Sequence, residues 1–259
     1  MSSHRVTRLS VTPVKGMRVH HPPAIALGPE GAEGDRDFFF ADAQGKLISV
    51  PRLGVLLQFT AAFDATTDRL LIDHDDGRSC EGEIELGAAV KIPRADGREI
   101  EGNVVEGPWG AFVETHAQQP LKLIKTARPG TASDAAGVTL LGTASLRALE
   151  REAGVADIDP RRFRMLIEFE TETEHVEDEW EGEVAEVGTA AIRIGGLVPR
   201  CAATTRDPER GKRDLPTVKV ITAYRGLKDT FFGPGAPFGV YADVVTPGRV
   251  AVGDTLRLR

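Results

Sequence analysis

Short apolar runs separated by turn formers fill the first half of the chain. Residues 5 to 12 predict a strand closed by Pro13-Val14-Lys15-Gly16. A loop-rich stretch follows through Pro22-Pro23 and Gly28-Pro29. It ends at Gly31-Ala32-Glu33-Gly34-Asp35-Arg36, where glycines frame a charged pair. Phe38-Phe39-Phe40 and Leu47-Ile48-Ser49-Val50 flank Asp42-Ala43-Gln44-Gly45, a hairpin signal with glycine where a positive φ is expected. Leu56-Leu57-Gln58-Phe59 and Leu70-Leu71-Ile72 predict a further strand pair, and short strands are predicted at 84 to 92, 98 to 105 and 111 to 114. Many short strands with no long helix before about residue 120 favour an antiparallel barrel or sandwich.

The second half mixes periods. A linker is expected at Pro129-Gly130-Thr131-Ala132-Ser133-Asp134. After it Thr143 opens a helix with Leu146, Leu149 and Ala153 on one stripe and Gly154 as its stop. Residues 161 to 170 predict a strand that turns Phe163, Met165, Ile167 and Phe169 to one face and Arg162 and Arg164 to the other. Two arginines on one strand face repel unless solvent or an anion lies opposite. A solvated face and an oxyanion or phosphate site both stay open. The acidic run from Glu168 to Glu183 reads as a solvated edge anchored by Trp180, and 184 to 194 as one or two strands joined near Gly188. Pro216-Thr217 begins a helix with Val218, Ile221 and Tyr224 inward, and strands are expected at 238 to 244, 250 to 252 and 255 to 258.

Charge and cysteine usage narrow the chemistry. The 259 residues carry 39 acidic and 32 basic side chains, a formal charge of -7, which argues against a general nucleic-acid binder. No apolar run reaches bilayer-spanning length and residues 1 to 20 lack a hydrophobic signal core, so a cytoplasmic protein is expected. Cys80 and Cys201 stand far apart, too few for a cysteine-built zinc site or iron–sulfur cluster. A redox role would therefore draw electrons from another molecule. Cys80 sits in a turn-like stretch and reads as incidental. Cys201 lies between Arg200 and the Thr204-Thr205 pair. A soft thiolate there suits a transition metal or a nucleophile, with an ordinary loop thiol weighed equally. His20, His21 and His116 are candidate proton donors, each with a plain surface reading beside it.

The run Val198-Pro199-Arg200-Cys201-Ala202-Ala203-Thr204-Thr205-Arg206-Asp207-Pro208-Glu209-Arg210-Gly211 resembles the signature of the molybdenum cofactor sulfurase C-terminal (MOSC) domain family. Further matching blocks are Pro13-Val14-Lys15, Gly34-Asp35-Arg36, Arg162-Phe163-Arg164, Glu177-Asp178-Glu179-Trp180 and Phe238-Gly239-Val240-Tyr241. The ordered set looks most like the two-part members, the group of the YcbX-type proteins and the mitochondrial amidoxime-reducing component. The resemblance implies a mainly β fold, with an N-terminal barrel-like domain over 1 to 125 and a MOSC β barrel with short helices over 126 to 259, the active cleft lying between them. It implies a molybdenum-pterin cofactor with Cys201 as metal ligand and catalytic residue. Lys15, Arg36, Asp134, Arg162, Arg164 and Arg200 are implied on the cofactor side, and pyridoxal phosphate binding is associated with the family only as a whole. The implied reaction is reduction of N-hydroxylated or N-oxide small molecules, with electrons from a separate ferredoxin-type or flavin protein. The alternatives are a cofactor carrier or sulfur-transfer accessory protein, a module without cofactor, and a cysteine hydrolase, which needs a histidine beside Cys201. Two positions depart from the family: Gly16 follows the lysine where serine is common, and Met165-Leu166 stands in place of Pro-Asn.

Overall fold

The computed structural model describes residues 3–94 and 96–259. A closed barrel is built from β1 (Ser3–Leu9), β12 (Ile167–Phe169), β11 (Val138–Gly142), β15 (Ala236–Thr246), β14 (Ala190–Arg200), β13 (Val184–Val187) and β17 (Thr255–Leu258), in that order. All neighbours are antiparallel except β11 and β12, and β1 closes the ring by pairing with β17. Inward residues such as Val6, Leu9, Leu140, Ile167, Phe169, Ile192, Val240 and Leu256 form one core. Burying an apolar side chain of this size contributes about 1.5 to 3 kcal/mol. The mainly β class with a closed barrel and short helices is as expected. β1 belongs to this barrel although it lies far on the N-terminal side of the 125/126 boundary.

A small sheet of β16 (Gly248–Ala251), β2 (Ala24–Gly28) and β3 (Gly31–Ala32) sits beside the barrel. The remaining N-terminal strands form two sheets. One runs β4 (Phe38–Asp42), β10 (Leu121–Thr126), β9 (Glu99–Glu106) and β8 (Glu85–Pro93). The other runs β5 (Phe59–Asp64), β6 (Arg69–His74) and β7 (Ser79–Glu83). They share a core of Phe38, Phe40, Phe59, Leu70, Leu123 and Trp109 with helix α1 (Trp109–Ala117). The Trp109 indole N–H donates to the Leu70 carbonyl at 3.1 Å. Helices α2 (Thr143–Ala153) and α3 (Thr217–Arg225) pack outside the barrel around Leu149, Phe163, Ile221 and Phe238.

Several local expectations are corrected. Residues 111 to 114 lie inside α1 and not in a strand. Trp109 and Val113 are its buried pair and Phe112 packs beside them, and a run this short has no period of its own. Leu56 and Leu57 occupy a 3-10 turn, Gly54–Gln58, before β5 begins. Residues 47 to 50 return from β4 through one bridge, Ala41 to Leu47, although Gly45 has the expected positive φ of 73°. The stretch 161 to 170 is a strand only from Ile167. Before it, Asp159 accepts the Arg161 N–H and caps a 3-10 turn, Pro160–Phe163, and Arg164 takes a left-handed φ of 51°. Arg162 and Arg164 therefore share no strand face. The acidic run is less solvated than its composition suggests. Glu177 is fully buried, and its carboxylate accepts the Gly142 N–H at 3.2 Å and the Ser145 hydroxyl at 2.7 Å at the start of α2.

Candidate functional site

β14 ends on Arg200, and the chain then turns at Cys201 into a 3-10 turn, Ala202–Thr205. The N–H and hydroxyl of Thr204 both donate to the Cys201 carbonyl, at 3.2 and 3.0 Å, which fixes the backbone while the thiol faces solvent. The following loop is held by the N-terminal unit. Arg206 reaches the Pro51 carbonyl at 3.0 Å, Gln58 donates to the Arg210 carbonyl at 2.9 Å, and Arg18 donates to the Glu209 carbonyl at 3.3 Å. Cys80, by contrast, packs against the N-terminal core, where burial pushes its thiol up.

Cationic side chains from both halves converge near this turn. Lys15 Nζ donates to the Ala132 carbonyl and to Asp134 Oδ1, both at 2.7 Å. Burial pushes the Lys15 ammonium down, and Asp134 counters this. Lys15 in turn holds the Asp134 carboxyl well below the usual range. Arg94, which sequence reasoning missed, donates to the Ser133 carbonyl at 2.7 Å and the Asp134 carbonyl at 2.5 Å. Arg36 pairs with Asp35 at 2.8 Å and donates to the Arg164 carbonyl at 3.2 Å. Arg164 spends Nη1 on the Met17 carbonyl at 2.7 Å, whereas its buried Nη2 has no partner. Burial first, and the Arg36 charge second, bring its pKa down to about 10.

Arg200 points inward, donating to the carbonyls of Phe238 at 2.8 Å and Phe163 at 3.0 Å and touching Met165 Sδ at 2.7 Å. Burial lowers it to about 10, and it feels Tyr241, Cys201 and Asp134. Tyr241, also unforeseen, is pushed up to about 12 by burial and by Asp134. The structure thus brings Lys15, Arg36, Asp134, Arg164, Arg200 and Cys201 into one electrostatic neighbourhood, joined by Arg94 and Tyr241. Arg162 is not part of it. Its guanidinium grips Asp214 with two bonds of 2.7 and 2.6 Å and the Arg206 carbonyl at 2.7 Å, bracing the cysteine loop.

The two departures have structural causes. Gly16 has φ 93°, and a Cβ there would stand 2.9 Å from Leu56 Cδ1. Met165 meets Arg200, and Leu166 is buried in the barrel core, so neither position faces solvent. The candidate histidines lie elsewhere: His21 bonds the Leu9 carbonyl at 3.0 Å, His20 pairs with Val11, and His116 is on α1. Among the described residues none of their hydrogen bonds involves Cys201.

The chain is thus a closed-barrel protein in which an exposed cysteine directly follows an 11-residue barrel strand whose last residue is an arginine with a buried guanidinium. The chain belongs to the MOSC domain family, whose domain matches residues 128–257, and the family is linked to molybdenum cofactor binding. Among solved structures it is similar to the YuaD protein from Bacillus subtilis, 12% identical over 98% of this chain and 94% of that one with a TM-score of 0.45. It is also similar to YiiM from Geobacillus stearothermophilus, at 14% identity over 68% and 72% with a TM-score of 0.35. YiiM from Escherichia coli is 14% identical over 48% and 54%, with a TM-score of 0.33. No curated protein matches the sequence. No helix among the described residues is long and apolar enough to cross a membrane.

Proposed function

We propose that the cleft between the barrel and the N-terminal unit holds a molybdenum-pterin cofactor and reduces N-hydroxylated or N-oxide small molecules. The observation that carries this reading is the buried, unpartnered Nη2 of Arg164, set beside Arg36, Asp35 and Asp134. An unpaired buried donor costs about 1 to 3 kcal/mol, so its retention points to an absent acceptor. The residues present fit such a group. Cys201 is a soft ligand open to solvent, Lys15 Nζ has a third N–H beyond its two bonds, and Arg164 offers Nη2.

When bound, the cofactor supplies two-electron redox chemistry at molybdenum. The chain's own residues anchor and orient. Lys15, Arg36 and Arg164 take the anionic portion, with Asp134 and Asp35 keeping the cations aligned. Arg200, locked to three inward contacts, fixes the end of β14 and with it the Cys201 thiol. Tyr241, raised to about 12, keeps its hydroxyl proton at neutral pH in the same electrostatic neighbourhood as Arg200 and Cys201. With that chemistry the substrate N–O bond would be cleaved by two electrons and two protons, its oxygen leaving as water and the electrons coming from a ferredoxin-type or flavin protein.

The test is molybdenum per chain after expression in a cofactor-competent host, with benzamidoxime turnover driven by an artificial reductant. Near-stoichiometric metal with turnover in the natural chain, and little of either in Cys201→Ala, is the expected result. Molybdenum without turnover would instead identify a cofactor carrier, and metal retained by Cys201→Ala would overturn the ligand assignment.

A further inference from the structure

A second cluster lies on the N-terminal unit, apart from the cysteine cleft. His74 ends β6, Asp76 sits in the turn to β7, and His116 lies in the last turn of α1. One ligand atom from each lies within 4.8 Å of the others. The imidazoles stack with centroids 3.7 Å apart, and each presents a nitrogen to the carboxylate of Asp76: His74 Nδ1 at 3.0 Å from Oδ1, His116 Nε2 at 3.1 Å from Oδ2.

The hydrogen bonds around the rings decide where their protons sit. The Thr115 hydroxyl donates to the Phe112 carbonyl at 2.8 Å, so its oxygen accepts from His116 Nδ1, also at 2.8 Å. That leaves His116 Nε2 with a lone pair. Gln58 donates its amide to the Arg210 carbonyl, which turns Oε1 toward His74 Nε2 at 3.3 Å as an acceptor. His74 Nδ1 therefore also carries a lone pair and accepts the Asp76 N–H at 3.1 Å. The lone pair of His74 is taken up by that N–H, whereas the lone pair of His116 faces a carboxylate oxygen at 3.1 Å, a repulsive arrangement unless a cation stands between. The cation now present is Arg78, whose Nη2 reaches both His116 Nε2 and Asp76 Oδ2 at 2.7 Å. Its side chain is 57% exposed and can swing away, whereas the rings are only 7% and 14% exposed and are oriented by outer partners.

We propose that His74, His116 and Asp76 form a divalent transition-metal site, for zinc or a similar first-row ion, and that Arg78 occupies it in the ion's absence. Two imidazoles and a carboxylate are a common donor set for such ions and leave a coordination position open. Tetrahedral bonds of the usual length need donors about 3.3 Å apart, and each ring nitrogen already has a carboxylate oxygen at that range. The site does not depend on the cofactor reading, because none of its three ligands is among the residues assigned to the cofactor.

The experiment titrates Co²⁺ into tag-free, chelator-treated Cys201→Ser protein, which removes the exposed thiol. The expected result is one saturable Co²⁺ per chain with ligand-field absorption and no sulfur charge-transfer band. His116→Ala should weaken binding at least about tenfold, and Arg78→Ala should tighten it at least about threefold. No saturable binding in the parent would overturn the proposal. So would equal affinity in a His116→Ala protein of native circular dichroism. Arg78→Ala alters an exposed side chain and keeps the test decisive if the histidine variant fails to fold. Affinity unchanged or lower in that variant also overturns it.

Discussion

Arg164→Met separates a group kept for a ligand from one kept for the fold. Burial and Arg36 take the Arg164 guanidinium from 12.5 to about 10. At about 1.4 kcal/mol per pH unit, holding it charged at neutral pH costs the folded protein at most roughly 3 kcal/mol. Methionine keeps much of the apolar stem, removes the charge and abolishes the unpartnered Nη2. It also removes the Nη1 bond to the Met17 carbonyl, and a carbonyl left unpaired costs about 1 to 3 kcal/mol. The net expectation is a cofactor-free variant between unchanged and about 2 kcal/mol more stable, with molybdenum per chain sharply reduced. Urea denaturation at pH 7, followed by Trp109 and Trp180 fluorescence, reads the first quantity, with an unchanged m-value as control. Metal analysis of protein from a cofactor-competent host reads the second. A variant destabilised by more than about 2 kcal/mol, or one loading molybdenum as well as the parent, would show that the guanidinium serves the fold alone.

Burial first, and the Arg225 charge second, depress His175 to about 4. Its contribution is complete above the unfolded value of 6.5 and is lost as pH falls through 4, by up to roughly 3 kcal/mol. His175→Asn tolerates the left-handed φ of 56° and should flatten this loss in pH-dependent denaturation. The difference between the two proteins cancels the opposing contribution of Asp37, whose pKa is raised to about 6 by burial. An equal acid loss in both proteins would refute the assignment. Gly239 has φ 79°, and a Cβ there would meet the Leu140 carbonyl oxygen and Met165 Cε, both at 2.6 Å. Gly239→Ala should therefore lower thermal stability by at least about 2 kcal/mol, and a variant melting with the parent would show that the strand end yields.

What the chain discloses follows how local each determinant is. α2 is legible because its apolar stripe and its left-handed stop at Gly154, φ 63°, are written within a dozen residues. The stretch 161 to 170 misleads because Phe163, Met165, Ile167 and Phe169 alternate as a strand would, although a 3-10 turn and a left-handed residue place the first two. The signal was just upstream: Asp159 before Pro160 is a capping residue ahead of a turn. At the site, the Cys201 segment stands out by residue type and order. Arg94 does not, since it acts through backbone carbonyls that any residues would supply. His116 stands out only as a candidate proton donor, and its grouping with His74 and Asp76 escapes notice for another reason. Their spacing has no motif, and only the fold of α1 against the β6–β7 turn brings them together. Residues 111 to 114 by themselves predict a strand, which hides the helix that carries His116.

The candidate site belongs to neither half of the molecule. Lys15, Arg36 and Arg94 come from the N-terminal side, whereas Arg164, Arg200, Cys201 and Tyr241 come from the barrel side, with Asp134 on the connection between them. The like charges of Arg36 and Arg164 oppose one another, and Asp35 and Asp134 offset part of that repulsion. What counters the rest is local: the Arg36 bond to the Arg164 carbonyl, the Arg164 bond to the Met17 carbonyl, and the clasp of Arg206, Gln58 and Arg18 around the cysteine loop. An anion entering the cleft would relieve the repulsion and add contacts to both sides at once. Its binding free energy then appears as stability of the folded pair, growing with the logarithm of ligand concentration above the dissociation constant. The thiol is thus positioned by the same contacts that hold the two halves together.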